Sequence, residues 1–393
     1  MSEWPPFVTD AAEQARVSRV IREIIAELDA WPDDANLADR ALVRMYLAPD
    51  DERTGELLAR AVASMARLGS LGLHGGATGI GWIVAHASDG ADADRVCASI
   101  DAALLRRMAD PAALDYDLVN GLVGFGVYAL ERGDAGRPLA EAVLDALDRR
   151  ARPRGAGVAW LTEPALLPAW QRESSPGGYW NVGVAHGSAG VIALLARFAA
   201  NAIAPVRTRR LLDDAVACLL AAEPAMASPR YPTWYSEPDG DAPEARLAWC
   251  YGDLGISLAL VAAARATDNA TWSTAAITLA HGCAGRSPSE GHVHDGGVCH
   301  GAAGAMHLFH RLYRATGDSI FAAATRRWLD HTLALRTAEP IGGFPAFCEH
   351  PTQPGTWRAD ASLLTGAAGV ALALGAVTST IEPRWDRMLA IDV

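Results

Sequence analysis

Four side chains in this sequence could together handle sulfur chemistry. Cys250, Cys299, His300 and His186 each stand one or two places before a Gly-x-x-Gly element. The segments read Asn181-Val182-Gly183-Val184-Ala185-His186-Gly187, Arg246-Leu247-Ala248-Trp249-Cys250-Tyr251-Gly252 and Gly297-Val298-Cys299-His300-Gly301. Two thiolates and an imidazole are soft donors suited to Zn²⁺, and three protein ligands leave a fourth position open, as in catalytic sites. The spacing is not that of a zinc finger, since 48 residues separate the two cysteines. On spacing alone, ordinary buried cysteines account for the same residues.

The elements that must bring them together form an internal repeat. The Gly-x-x-Gly core begins at Gly76, Gly121, Gly187, Gly252, Gly301 and Gly366, at intervals of 45, 66, 65, 49 and 65 residues. Small and aliphatic residues follow each copy, as in Val191-Ile192-Ala193-Leu194-Leu195. The intervals carry amphipathic patterns at helical spacing over Leu139–Arg150, 209–222 and Ile320–Ala334. Residues 11–68 read as further helices, broken near Trp31-Pro32. Small-residue helices can pack closely inside, with amphipathic helices covering them. The expected fold class is therefore all-α: an α/α double toroid of repeated helix pairs with Gly-rich inner helices. A Rossmann reading fits poorly, because no strand pattern precedes the glycines. Long loops at 152–183, 223–249 and 286–298 lead into several motifs, and long ordered loops are commonly functional. The site is expected at the end of the inner helices that these loops enter.

Composition narrows the chemistry. The chain has 393 residues and a net charge of -12, and all 34 basic residues are arginines. Without lysine there is no Walker A loop, no Schiff-base or pyridoxal-phosphate site and no kinase strand lysine. The acidic balance argues against a nucleic-acid surface. Length alone suggests two or three domains, but the repeat favours one, spanning 1–393, with N-terminal helices over 1–70 and the repeat core over 71–375. No basic or apolar leader opens the sequence, and the longest apolar runs are about ten residues, short of the ~20 a membrane span needs. A soluble, cytoplasmic protein without a transmembrane segment is expected, its six cysteines reduced. Cys97, Cys218, Cys283 and Cys348 read as packing residues. His292-Val293-His294 reads as a polar loop pair rather than a second metal site.

Trp249-Cys250-Tyr251-Gly252, Cys299-His300-Gly301 and Ala185-His186-Gly187 closely resemble the signature of the lanthipeptide cyclases, the LanC-like family. Asp115-Tyr116-Asp117-Leu118-Val119-Asn120-Gly121 is similar to that family's acidic motif, and the likeness runs from about Leu71 to Leu374. The resemblance implies an α/α double toroid holding one Zn²⁺. It implies Cys250, Cys299 and His300 as ligands, His186 as acid/base, and Asp117 (or, second, Asp115) as its acidic partner. It further implies Arg246 as the active-site arginine and Tyr251 as a pocket residue. The activity implied is addition of peptide cysteine thiols to dehydroalanine or dehydrobutyrine, giving lanthionine or methyllanthionine rings in a ribosomal precursor peptide. No kinase or dehydratase region is apparent, so the chain resembles free-standing cyclases. A dehydrated precursor peptide and a separate dehydratase are the partners implied.

On this reading, zinc coordination makes the substrate sulfur a thiolate, which attacks the β-carbon. Arg246 or protonated His186 stabilises the enolate, and His186 protonates the α-carbon. Each residue has a structural alternative: a helix cap for His186 or Asp117, an ion pair for Arg246, packing for Tyr251. Alternative functions are glutathione addition to dehydrated proteins, a non-catalytic zinc-containing binding protein, and a carbohydrate enzyme, which would need two opposed carboxylates.

Overall fold

The computed structural model describes residues 4–32, 34–49, 52–88, 90–109, 114–221, 229–237, 242–350 and 353–393. The chain is helical, and every Gly-x-x-Gly core opens a helix. Gly76, Gly121, Gly187, Gly252, Gly301 and Gly366 are the N-caps of Ala77–Ala87, Leu122–Glu131, Ser188–Ala200, Asp253–Thr267, Ala302–Thr316 and Ala367–Thr378. These six are buried nearly all round; in the last of them Ala367 through Val377 are all buried. Amphipathic helices follow at Ala91–Met108, Arg137–Arg150, Pro205–Ala221, Ala270–Ala284 and Ser319–Ala334. In Pro205–Ala221 the buried positions are Thr208, Leu211, Leu212, Ala215, Val216 and Leu219, one face at helical spacing. The patterns read from sequence over 139–150 and 320–334 each extend one or two residues further toward the N-terminus. The third, over 209–222, begins at Pro205, and its last residue lies outside the described residues.

The chain forms two compact units, each assembled from three stretches of sequence. One comprises Met1–Ala66, Leu247–Trp249 and Ala284–Trp385; the other comprises Arg67–Arg246, Cys250–Cys283 and Asp386–Val393. Within the first, the helices Ala11–Asp29 and Leu37–Leu47 pack on Ala367–Thr378. That inner helix has no amphipathic α-helix after it, and the N-terminal helices supply the cover. Backbone N–H groups of Phe7 and Val8 both donate to the Val377 carbonyl, and Trp4 Nε1 donates to Ala376 O. Within the second unit the inner helices contact one another in sequence order, Ala77–Ala87 through Asp253–Thr267.

The long loops contain short strands that the sequence reading left irregular. Three antiparallel pairs occur among the described residues: Arg152–Arg154 with Gly157–Ala159, Tyr179–Asn181 with Trp234–Ser236, and Ala346–His350 with Gln353–Arg358. Parts of the 223–249 loop, 223–228 and 238–241, lie outside the described residues.

The second glycine of the motif has a steric reason. A Cβ at Gly304 would lie 2.0 Å from the Val298 carbonyl oxygen, and the same clash with a carbonyl six residues earlier recurs at Gly79, Gly124, Gly190 and Gly369. The loop therefore folds back onto the first helical turn at van der Waals distance. Gly304→Ala is expected to destabilise by about 1–3 kcal/mol, despite the roughly 1 kcal/mol that alanine gains in a helix. Gly282→Ala, at an exposed helical site with no atom within 4 Å of the new Cβ, is expected to stabilise instead. Denaturant midpoints of the two variants, moving in opposite directions, check this.

Candidate metal centre

Four of the six loops before the inner helices share one hydrogen-bond template. The carbonyl six residues before the motif's first glycine accepts the N–H just after that glycine. Examples are Ala77 N–H to Ser70 O, Leu122 N–H to Asp115 O, Ala302 N–H to Asp295 O and Ala367 N–H to Asp360 O, at 2.8–3.1 Å. The side chain at that same position closes a turn: Ser70, Asn181, Asp295 and Asp360 each accept the N–H two residues on, at 2.8–3.0 Å. Asp115 occupies this position in the second loop and accepts from Tyr116 N–H at 2.6 Å. In the fourth loop the position holds Arg246, half-buried, which cannot close such a turn. Gly252 there has φ +102°, and a Cβ on it would meet Arg246 O at 2.1 Å.

Consecutive loops are laced by backbone hydrogen bonds to the carbonyl two places before the glycine, from an N–H two or three places before the preceding one. His74 N–H donates to Val119 O, Leu118 to Ala185 O, Ala185 to Cys250 O, Trp249 to Cys299 O, and Cys299 to Leu364 O, at 2.7–3.2 Å. This lacing explains why residues far apart in sequence meet. Gly183 lets the third and fourth loops approach, since a Cβ there would meet Cys250 O at 2.3 Å and the Tyr251 ring at 2.7 Å.

The Sγ atoms of Cys250 and Cys299 and a ring nitrogen of His300 lie within 4.8 Å of one another, Cys250 buried and the other two half-buried. It is the only three-residue His/Cys/Asp/Glu cluster of this kind among the described residues. In a tetrahedral site with Zn–S about 2.3 Å and Zn–N about 2.0 Å, donor atoms lie about 3.5–3.8 Å apart. Two thiols and an imidazole fit zinc in donor type, and they are gathered within 4.8 Å of one another. His292 and His294 belong to no such cluster; His294 pairs with Glu349 at 3.6 Å.

His186 Nδ1 donates to Asp117 Oδ2 at 2.5 Å, because an ionised carboxylate can only accept. Asp117 is 3% exposed, and its other oxygen accepts the Asn120 N–H at 2.7 Å. The Tyr251 ring stacks on His186 with centroids 5.9 Å apart. Burial alone would lower the His186 pKa, but the hydrogen bond and charge of Asp117 carry it above its ordinary value, with Asp115 and Cys250 adding to the rise. Burial and the Asp117 charge push Asp115 up to about 6. Of the two aspartates, then, the structure joins Asp117 to His186 and gives Asp115 the turn-closing place.

One residue of this neighbourhood carries no motif in the sequence. His74 stands two places before Gly76, the position that Cys250 and Cys299 hold in their loops. Burial lowers its pKa to about 4, and it feels the charges of Asp117 and His186. It is thus a neutral imidazole at neutral pH. Aligning the repeats by their glycines is the signal that would have found it.

The chain belongs to the lanthionine synthetase C-like protein family, whose model matches residues 42–390. Its fold is that of nisin cyclase: the two superpose with a TM-score of 0.76 at 18% identity, over 96% of this chain and 98% of the other. Fifteen solved chains match in all. No curated protein sequence matches this chain. No helix among the described residues is long and apolar enough to cross a membrane.

Proposed function

We propose that this protein is a zinc-dependent lanthionine cyclase acting on a dehydrated precursor peptide. The observation that carries the reading is the Cys250–Cys299–His300 donor set. The third loop, joined to the Cys250 loop by the Ala185 N–H to Cys250 O hydrogen bond, bears His186, which pairs with Asp117 of the second loop. Family membership and a fold shared with a protein named nisin cyclase support it. The chain is treated as one domain because its two units interleave in sequence.

Zinc held by Cys250, Cys299 and His300 would supply acidification of a substrate thiol, whose free pKa of about 8.5 leaves only a few per cent thiolate at neutral pH. The protein's own groups do the rest. A C–S bond forms at the β-carbon of the dehydro residue, and the π pair moves onto the neighbouring carbonyl as an enolate. The α-carbon then takes a proton, so a thiol S–H has added across C=C with nothing oxidised or reduced. His186 would give that proton from Nε2, a role supported by the Asp117 hydrogen bond at Nδ1. The proton lost by the thiol restores the imidazolium. Arg246, at the one loop position where the others keep a turn-closing side chain, is assigned to the enolate charge. Tyr251 walls the imidazole.

A dehydratase must supply the dehydro residues, and the cytoplasm, which keeps thiols reduced, is the proposed compartment. The test is incubation of zinc-loaded protein with a dehydrated precursor peptide, then alkylation and mass measurement. The expected product has unchanged mass and no alkylatable thiol, without added thiol. Formation of a glutathione adduct in place of a ring would overturn the cyclase assignment.

A further inference from the structure

A second cavity lies wholly within the Arg67–Arg246 stretch. Its wall begins with the hairpin Arg152–Arg154/Gly157–Ala159, which lies tight against the helix Pro205–Ala221 because residue 157 is glycine: a Cβ there would sit 1.9 Å from Asp214 O. Opposite, Trp180 and Tyr235 are cross-strand partners in the pair Tyr179–Asn181/Trp234–Ser236, so their rings share one face of the ladder. The Arg154 guanidinium lies over both rings, 4.8 Å from the Trp180 centroid and 5.0 Å from that of Tyr235. The space enclosed is about 210 Å³.

The polar side chains facing this space include an arginine and a phenol. No carboxylate pairs with Arg154 among the described residues, although the chain is acidic overall. Asn181, next to Trp180 in the strand, turns its amide to the other face of the ladder, toward Tyr179, and adds no donor here. The Tyr235 hydroxyl is buried and has no hydrogen-bond partner. Buried donors left unmade are costly, each by about 1–3 kcal/mol. The rest of the lining is largely apolar, with Val158, Ala215 and Leu219 among it, and includes the half-buried Cys218 thiol.

We propose that this cavity binds a carboxylate carrying an apolar body the size of one amino-acid residue. A carboxylate is an acceptor-only head that can use the guanidinium and the phenol together. A phosphate, at about -2 charge, would bring more negative charge than one arginine balances. The volume is below the roughly 300–1,000 Å³ of sites for drug-sized ligands, which fits a single residue. The C-terminal residue of a peptide and a free apolar acid share this chemistry. The assignment is independent of the metal site and of the activity proposed for it.

Cys218 gives a direct readout. The full-length protein is alkylated with a maleimide, and modification at Cys218 is followed by peptide mass spectrometry, with and without N-acetyl-L-leucine. At ten times its Kd the probe is expected to slow Cys218 labelling about elevenfold. Arg154→Gln should weaken that protection about tenfold or more, and Tyr235→Phe, which removes one hydroxyl, by a few-fold. A tetrapeptide ending in leucine that protects at lower concentration than the free acid identifies a peptide terminus; equal protection identifies a small acid. The proposal is overturned if N-acetyl-L-leucinamide protects as well as the acid, or if neither probe protects up to millimolar concentration.

Discussion

Cys299→Ala is expected to remove both the metal and the activity while leaving the fold in place. The change deletes one of the two sulfur donors. Loss of a direct ligand should exceed the about 10–100-fold that altering a ligand's supporting partner costs. The structure says why folding should survive. Cys299 laces its loop to two neighbours through its backbone, N–H to Leu364 O and carbonyl from Trp249 N–H, and alanine keeps both bonds. The measurement is zinc per chain by elemental analysis beside ring formation, with far-UV circular dichroism as the check on folding. His294→Ala, in a histidine outside the cluster, should retain the metal. If the Cys299 variant keeps zinc and activity, the ligand assignment is wrong; if it loses the metal yet still closes rings, the metal is structural.

How much of this was legible in the sequence depends on what each feature demands of residue type. The inner helices were legible because their packing forbids a Cβ: Val298 O against Gly304, and its counterparts, force glycine at a fixed offset. The candidate donors were legible because only cysteine and histidine offer soft donors, and here the two cysteines stand two places and His300 one place before a motif's first glycine. The structural reason for preferring Asp117 to Asp115, which the family resemblance ranks first, was not legible from the residues, since both are aspartates two positions apart. It required seeing that Asp115 holds the loop position filled by Asn181, Asp295 and Asp360, while Asp117 alone reaches the imidazole. His74 and the Arg154 cavity escaped for a different reason. Neither is a motif, and Arg154, Trp180 and Tyr235 meet only because a three-residue strand pair sets their register. Strands that short leave no alternation to read.

Asp117→Asn is expected to cut the rate by about 10²–10⁴-fold and to move the alkaline limb of the pH–rate profile toward lower pH. The sign follows from the balance at His186. Burial disfavours the imidazolium, and Asp117, through its hydrogen bond and its charge, more than offsets this. A histidine that gives a proton works while protonated, so the wild-type rate should fall as pH rises through a value above the ordinary 6.5 or so. Asparagine removes the charge and leaves the burial, so the limb must move down. It also ceases to demand a hydrogen on Nδ1, because an amide can donate as well as accept, and part of the population then holds its proton on the wrong nitrogen. A merely structural aspartate would behave otherwise. Its other role, accepting the Asn120 N–H, can pass to the asparagine Oδ1, so that hydrogen bond should survive the substitution. Asp115→Asn is the matched control: it removes a weaker contribution to the same histidine and should shift the limb less. The pair also links to stability. A raised histidine pKa contributes stability that is fully present below the unfolded value and is lost as pH rises through the folded one. The variant should therefore lose its stability difference from wild type as pH rises through the raised His186 pKa, in the same window where the wild-type rate falls. Coincidence of the two windows would tie both effects to one proton on His186, and an unchanged limb in Asp117→Asn would remove His186 as the acid.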